Sequence, residues 1–285
     1  MARSEKNLTA VFTDTASAIR AKTGTTETIC PLDFADKINA IQTGGGSDSS
    51  LRAYFEAGGK CSYSTAKSLD NVINYADTAN VSDFSHFFEE CTNLTLSPNI
   101  STASANGSMK SMFYNCYNLT KSPSNLNTSN ITNMRQMFDY CGKLTEVSFM
   151  DTSNVTDMGE MFVYCSALTT IPKFDTSKVT TMFYMFNSCK NISIIPELDV
   201  SNCEDFSYMF DHCPNITEIH MKGMRVPIDI SGSTKFTREA LVEILTNFGE
   251  PKYSYAKTIT IGSTNLAKLT DEDKAIATNK GWNLK

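Results

Sequence analysis

Six cysteines recur at nearly equal spacing and are the first residues of this chain that suggest chemistry. They are separated by steps of 25, 25, 24, 24 and 24 residues, at Cys91, Cys116, Cys141, Cys165, Cys189 and Cys213. A zinc site needs closely spaced pairs, and the chain has no Cys-x-x-Cys motif. Disulfides between stacked coils are conceivable, because neighbouring strands lie about 4.8 Å apart.

A reduced column explains these cysteines better than a disulfide does. The chain has nine cysteines, an odd number, and Cys30, Cys61 and Cys203 lie outside the register. Each of the six follows a phenylalanine by three residues and so lies on the same face of the predicted helix. Because free cysteine is among the most buried residue types, we predict an unreactive interior column.

Carboxylates also recur in one register. They lie at Asp77, Asp151, Asp175 and Asp199, with Asn127 at the equivalent place. Stacked carboxylates bind calcium in glycine-rich β-helix repeats, but the G-G-x-G-x-D motif of those repeats is absent. Hydrogen bonds in turns and at helix N-termini explain these residues without an ion. We therefore predict no metal site.

Catalysis is not indicated either. His86, His212 and His220 are the only histidines, and no motif pairs them with a nucleophile. The carboxylates are periodic, whereas a glycosidase needs two carboxyl groups with different roles. We predict a protein without enzymatic activity and without a cofactor.

The cysteines belong to a longer repeated unit. A fixed period of 24 or 25 residues is typical of a solenoid, in which each unit stacks on its neighbours. Asp-Thr-Ser opens the copies that begin at Asp151 and Asp175. Apolar residues then follow in steps of three and four, which predicts a helix of roughly two to three turns. Residues 170–174, which contain Pro172, predict a short strand.

Two further columns follow the same period. The threonine and serine column predicts a hydrogen-bonding ladder and comprises Thr95, Thr120, Thr145, Thr169, Ser193 and Thr217. The phenylalanine column predicts the core and comprises Phe88, Phe113, Phe138, Phe162, Phe186 and Phe210.

The predicted fold class is an α/β repeat solenoid of leucine-rich-repeat type, with a small N-terminal helical module and an α/β C-terminal cap. We place a helical attachment module at residues 1–43, a Gly/Ser linker at 44–50, the solenoid with its N-terminal cap at 51–222, and the C-terminal cap at 223–285. In the last of these, the pattern predicts a helix over 237–248, a strand over 258–261 and a helix capped by Thr270 that Gly281 ends.

Positions that vary between stacked copies are where a solenoid encodes specificity. On the surface of the predicted helices, aromatic residues offer large contact area at low entropic cost. The predicted binding residues on this side are Tyr114, Tyr117, Tyr140, Tyr164, Tyr184 and Tyr208. On the strand side they are Lys121, Glu146, Lys173 and Glu197. Ordinary solvated surface is the alternative explanation for each of these residues.

Composition excludes several classes of function. The formal net charge is −6 and the pI about 5.2, with no basic stripe, so nucleic acid is not expected as a partner. No apolar run approaches the roughly 18 residues of a transmembrane helix. The first residues lack the apolar core of a signal peptide, so we expect any export to use another route.

The unit quoted from Leu168 to Cys189, L-T-x-I-P-x-F-D-T-S-x-V-T-x-M-x-x-M-F-x-x-C, resembles the BspA-like leucine-rich-repeat surface proteins. The resemblance covers residues 61–222. It implies a right-handed solenoid used in adhesion and ligand binding. The Gly-Trp-Asn-Leu ending is similar to the C-terminal cap of such proteins.

The N-terminal stretch from Asn7 to Ile41 is similar to modules that head structural proteins of tailed phages and prophages, especially tail and baseplate components. Together the two resemblances imply a tail-associated receptor-binding protein of the virion. Its expected partners are a host-surface glycan or protein and, through the N-terminal helices, tail or baseplate proteins or further copies of itself. The alternatives are a bacterial surface or secreted adhesin and an intracellular protein-binding scaffold or inhibitor.

Overall fold

A computed structural model describes residues 78–92, 94–95, 100–255 and 257–285. The predictions for residues 1–77, including the helical module, the linker and Asp77, lie outside this part of the chain. In chain order the described elements are β1 (Gly107–Ser108), β2 (Ile131–Asn133), β3 (Ile194–Asp199), β4 (Glu218–Lys222), β5 (Ile228–Asp229), α1 (Arg238–Asn247), β6 (Thr258–Thr260), α2 (Ser263–Leu266), α3 (Asp271–Thr278) and β7 (Asn283–Leu284).

The described strands pair in parallel, which is the sign of coils lying one over another. β1 pairs with β2, β3 with β4, and the last sheet has the order β5-β6-β7. Isolated parallel bridges join further coils; one links Lys121 to Glu146 and another links Asp157 to Thr181. Partners from β1 to β4 and in these bridges lie about one repeat apart. This confirms the repeat solenoid, while its right-handed sense stays a prediction.

The predicted short helix of each unit is wrong. The segments concerned, called turn segments here, are residues 84–91, 109–116, 134–141, 158–165, 182–189 and 206–213, and none of them contains an α-helix. Each instead contains two left-handed residues four positions apart, with φ between 53° and 61°. These are His86, Glu90, Ser111, Asn115, Gln136, Tyr140, Glu160, Tyr164, Tyr184, Ser188, Tyr208 and His212.

The hydrogen bonds of a turn segment alternate between two directions. In the five turn segments from 84–91 to 182–189, every second N–H group donates to a carbonyl of the next coil. In residues 158–165 these donors are Met158, Glu160, Phe162 and Tyr164, over 2.8–3.1 Å, and the last segment, 206–213, accepts such bonds from the segment before it. The N–H groups between them close tight turns, as Cys165 does by donating to the Phe162 carbonyl at 3.1 Å. An α-helix would satisfy these groups within itself. A turn segment therefore needs the neighbouring coil to satisfy its backbone.

An α-helix and a turn segment bury residues at the same spacing, which explains why the helix prediction was wrong. Left-handed residues every four positions turn the chain so that residues three and four apart face the interior. Val155, Met158, Phe162 and Cys165 are all buried, as they would be on one face of a helix. Apolar spacing alone does not separate the two backbones.

The phenylalanine column is confirmed as the core. The six rings are buried and nearly parallel, with centroids 5.2 Å apart between Phe88 and Phe113 and 6.0 Å apart between Phe186 and Phe210. Removing one such ring from a packed interior costs about 3–5 kcal/mol. Phe84 and Phe87 extend this apolar interior at the N-terminal end of the described coils.

The cysteine column is also confirmed as buried. All six of its side chains lie in the interior, and Cys116, Cys141, Cys165, Cys189 and Cys213 are free thiols, as is Cys203. From Cys116 onward, each thiol of the column donates to the carbonyl of the phenylalanine one coil earlier; the Cys165 Sγ lies 3.1 Å from the Phe138 oxygen. Burial raises the pKa of the Cys116, Cys141, Cys165 and Cys189 thiols, and it raises the pKa of Cys203 and Cys213 to about 12.

The aspartate register forms turns within each coil. At Asp151, Asp175 and Asp199 the carboxylate accepts bonds from the backbone N–H and the hydroxyl of the serine two residues later. These are turn bonds and not helix caps, because no helix follows in these coils. The hydroxyls of Thr120, Thr145 and Thr217 donate to carbonyls one coil earlier at 3.1 Å, which confirms the predicted ladder at those positions.

The C-terminal region contains the predicted α/β elements. Thr237 caps α1, and Thr270 forms a capping box with Asp273 at the start of α3. Gly281, with a φ of 90°, follows α3, and Trp282 is buried before β7. Among the described residues no helix is long and apolar enough to cross a membrane.

Substitution of Asn115 tests the turn-segment backbone against a helix. Asn115 has a φ of 55°. Asn115→Gly should leave the free energy of unfolding unchanged or raise it, while Asn115→Val should lower it by about 1–2 kcal/mol. Chemical denaturation of both variants, with Asn115→Ala for comparison, measures this. A helix would instead make the glycine variant the less stable one.

The cysteine column predicts protection from alkylation. Iodoacetamide at pH 8 should leave Cys141 and Cys165 unmodified in the folded protein, because both thiols are buried and protonated. The same reagent should modify them completely in denaturant. Peptide-resolved mass spectrometry measures the difference, and rapid modification under native conditions would contradict the column.

Candidate functional site

The outward side chains of the turn segments form a surface that we call the turn face. Tyr140 and Tyr164 stack with ring centroids 4.7 Å apart, and Tyr184 and Tyr208 stack at 4.8 Å, each pair with an interplanar angle of 26°. All four residues adopt the left-handed backbone conformation. Equivalent positions in successive coils bring the rings together, because the backbone repeats its geometry there.

The two tyrosine pairs belong to two different columns. Tyr184 and Tyr208 occupy the first left-handed position of their turn segments, and Tyr140 and Tyr164 occupy the second. Tyr208 is 58% exposed and Tyr164 45% exposed, so a ligand can reach the rings. The sequence identified these residues as outward, although it assigned them to helices.

The other two predicted tyrosines extend this aromatic surface. Tyr114 is half-buried and meets Tyr140 edge to face, with centroids 6.0 Å apart. Tyr117 is exposed and lies over Gly142, where an added Cβ would overlap its ring. The Lys143 ammonium lies 5.8 Å from the centre of the Tyr117 ring. Tyr117 follows the turn segment and so lies just outside the left-handed columns.

A polar cluster that the sequence did not predict lies on the same face. Arg135 and Gln136 both donate to the Glu160 carboxylate, the amide of Gln136 at 2.8 Å. The Arg135 guanidinium also lies over the Phe183 ring, 4.7 Å from its centre. Gln136 and Glu160 occupy the left-handed column in which Tyr184 and Tyr208 lie two coils further on. The sequence signal that could have identified this cluster is the register that Gln136 and Glu160 share with the tyrosines.

The predicted charged residues lie in the extended part of each coil and form ion pairs across coils. Lys121 and Glu146 approach to 2.7 Å, as do Lys173 and Glu197. Lys222, which the sequence did not single out, lies 3.1 Å from Glu197. Hydrogen bonds from Lys173 and Lys222 lower the pKa of Glu197. The structure thus separates the ten predicted binding residues into a tyrosine group and an ion-paired group.

An open groove of about 600 Å³ lies beside the second ion-pair group. Phe149, which is 72% exposed, lines it together with Lys173, Glu197 and Lys222. The buried ring of Phe174 also contributes to its lining. The groove offers an apolar contact next to charged residues that already form ion pairs with each other.

The histidines and carboxylates of the described residues form surface pairs and not a metal cluster. No group of three or more His, Cys, Asp and Glu residues there is placed to hold a metal ion. Each histidine instead pairs with a carboxylate at the surface: His86 with Glu89, His212 with Asp211, and His220 with both Glu218 and Glu243.

Comparison with known proteins identifies the repeat. A leucine-rich repeat protein of T. pallidum is similar in structure, with 14% identity and a TM-score of 0.43, over 64% of this chain and 79% of that one. A search of curated proteins found no match. The family model described as "Mycoplasma protein of unknown function, DUF285" matches residues 60–148 and 141–222. Those residues make up more than half of the sequence, and the chain belongs to the DUF285 family.

Proposed function

We propose that this protein is a non-enzymatic adhesin whose turn face binds a glycan or protein on a host surface. The observation that carries the proposal is the pair of exposed tyrosine stacks, Tyr140 with Tyr164 and Tyr184 with Tyr208. Stacked repeats give extended surfaces suited to binding. Tyrosine supplies a flat apolar ring and a hydroxyl that hydrogen-bonds, and both suit sugars and proteins.

The turn face is also prepared for binding by its backbone. Tyr140, Tyr164 and Tyr184 lie in segments whose N–H groups bond to the next coil, and Tyr208 lies in the segment that accepts such bonds from the coil before. Each ring also rests on another ring. Little side-chain freedom is then left to lose on binding, which lowers the entropic cost of association. Exposed rings held in this way are typical of binding hot spots.

The turn face is preferred over the groove beside Phe149 for an energetic reason. Lys173 and Lys222 already donate to Glu197, so a charged ligand must replace those bonds before it gains new ones. Exposed ion pairs of this kind contribute little by themselves. The groove is therefore the secondary candidate surface, with Phe149 as its main apolar contact.

For its biological setting, we propose that the protein is part of a phage or prophage tail and acts outside the host after lysis. The resemblance of residues 7–41 to tail and baseplate modules supports this placement, with tail proteins or further copies as partners of that module. The second candidate is a bacterial surface or secreted adhesin, which the bacterial name of the matched family favours. Proteomics of purified virions separates the two.

Removing one tyrosine stack tests the binding face. Tyr140→Ala with Tyr164→Ala should weaken attachment to host cells or to a positive glycan-array ligand by about tenfold or more, because two aromatic anchors are lost. Folding should be nearly unchanged, since neither ring lies in the core. Binding curves for the full chain measure the change.

The matched control is a second stacked pair in the C-terminal region. Tyr253 and Tyr255 stack at 5.4 Å outside the turn segments. Tyr253→Ala with Tyr255→Ala should leave attachment unchanged. Equal attachment by both double variants and the unmodified protein would eliminate the turn face as the contact.

A further inference from the structure

One carboxylate of the turn segments is buried without a full set of partners. Asp139 lies between the inward Phe138 and the exposed Tyr140 and is only 3% exposed. Its Oδ1 atom has no hydrogen-bond partner among the described residues. Burying such a group without a partner costs free energy, most of all when it is charged.

The charged and titratable groups near Asp139 are those of three consecutive coils. Tyr114 faces it from the coil before, Tyr140 lies next to it, and Glu160 lies in the coil after, held by Arg135 and Gln136. On the interior side the nearest such groups are the thiols of Cys141 and Cys165. No cationic group of the described residues pairs with the Asp139 carboxyl.

These surroundings favour the neutral acid. Burial raises the pKa of Asp139 to about 7, and the nearby Glu160 carboxylate raises it as well. Hydrogen bonds from the Tyr140 N–H and the Gln136 side chain oppose the shift only in part. At neutral pH the side chain is therefore divided between its two protonation states.

The buried positions equivalent to Asp139 carry neutral side chains. From the first described coil to the last, the register consists of Glu89, Tyr114, Asp139, Val163, Asn187 and Asp211. The carboxylates of this register in the first and last of these coils are partly exposed, whereas Val163 and Asn187 are buried and carry no charge. Asp139 is thus the one buried residue of this register in the described coils that carries an ionisable group.

We propose that Asp139 makes the turn face proton-dependent: the protonated carboxyl keeps the face closed, and loss of the proton opens it around Tyr114 and Tyr140. In the closed state the neutral acid is buried close to both tyrosines. When the proton passes to solvent, a carboxylate is left near Glu160 in a buried place. The rings must then separate to admit water or a cation to the unpartnered oxygen.

The sign of the effect follows from the raised pKa. The pKa of Asp139 is about 7 in the folded chain and 3.8 ordinarily, so the folded state holds the proton to higher pH. The protonated Asp139 side chain therefore stabilises the folded state fully when the pH is below the ordinary pKa of 3.8, and this stabilisation is lost as the pH rises through about 7. The closed face is therefore favoured in mildly acidic solution.

Hydrogen exchange of the full chain tests this opening without any ligand. The reporter amides are Asn115, whose N–H donates to the Asp139 carbonyl at 2.7 Å, and Tyr140, whose N–H donates to the Val163 carbonyl at 2.8 Å. Between pH 5.5 and 8.5 their protection should fall by about tenfold or more relative to Asp139→Asn at the same pH. Comparison at equal pH removes the intrinsic pH dependence of exchange.

Two further variants complete the experiment. Asp139→Val copies the residue at position 163 and should behave as Asp139→Asn does, which provides a second neutral variant should one fail to fold. Asn187→Asp should transfer a pH-dependent loss of protection to the segment 182–189. The proposal is overturned by equal pH responses in the unmodified protein and either neutral variant.

The consequence for binding rests on the proposed function, and the two proposals fail separately. If the turn face is the contact, attachment should change between pH 5.5 and 8.5 in the unmodified protein and not in Asp139→Asn. A pH-dependent protection without any contribution of Tyr140 and Tyr164 to attachment would refute the proposed function alone. A contribution of those tyrosines with pH-independent protection would refute the proton-dependent opening alone.

Discussion

The whole structure depends on the alternating hydrogen bonds of the turn segments. In the turn segments from 84–91 to 182–189, half of the N–H groups close local turns and half bond to the coil that follows, so none of these segments satisfies its backbone alone. The phenylalanine stack and the thiol-to-carbonyl bonds also join neighbouring coils and have the same period, although each thiol donates to the coil before. Secondary structure and tertiary packing therefore form together in this protein, because both are contacts between neighbouring coils.

The regular arrangement of side chains on the surface follows from this repeating backbone. A left-handed residue recurs at the same two positions of every described turn segment. Several of these side chains contact their counterpart in the next coil. Where the counterparts are tyrosines they stack, and where they are Gln136 and Glu160 they hydrogen-bond. The turn face is thus a set of columns whose spacing is set by the interior and whose chemistry varies freely between coils.

The sequence predicted those features that depend on period and lost those that depend on backbone conformation. Phe162 and Cys165 were recognisable as interior because the pattern repeats six times. The predicted helix was wrong because left-handed turns bury the same positions as a helix does. No glycine occupies the left-handed positions of the described turn segments, so the sequence did not indicate these turns. Asp139 was not found because its burial arises from the packing of adjoining coils, which sequence neighbours do not reveal. The ion pair between Lys173 and Glu197 likewise required the coil register.

The parallel register between coils has a consequence for how such a chain can change over generations. Each coil contacts the one before and the one after through equivalent atoms, so an interface made by any coil is interchangeable with that made by its neighbour. Insertion or deletion of one whole unit preserves every type of contact and alters only the length of the array. Unequal recombination between units then leaves the interior intact, and each displayed side-chain column gains or loses one member.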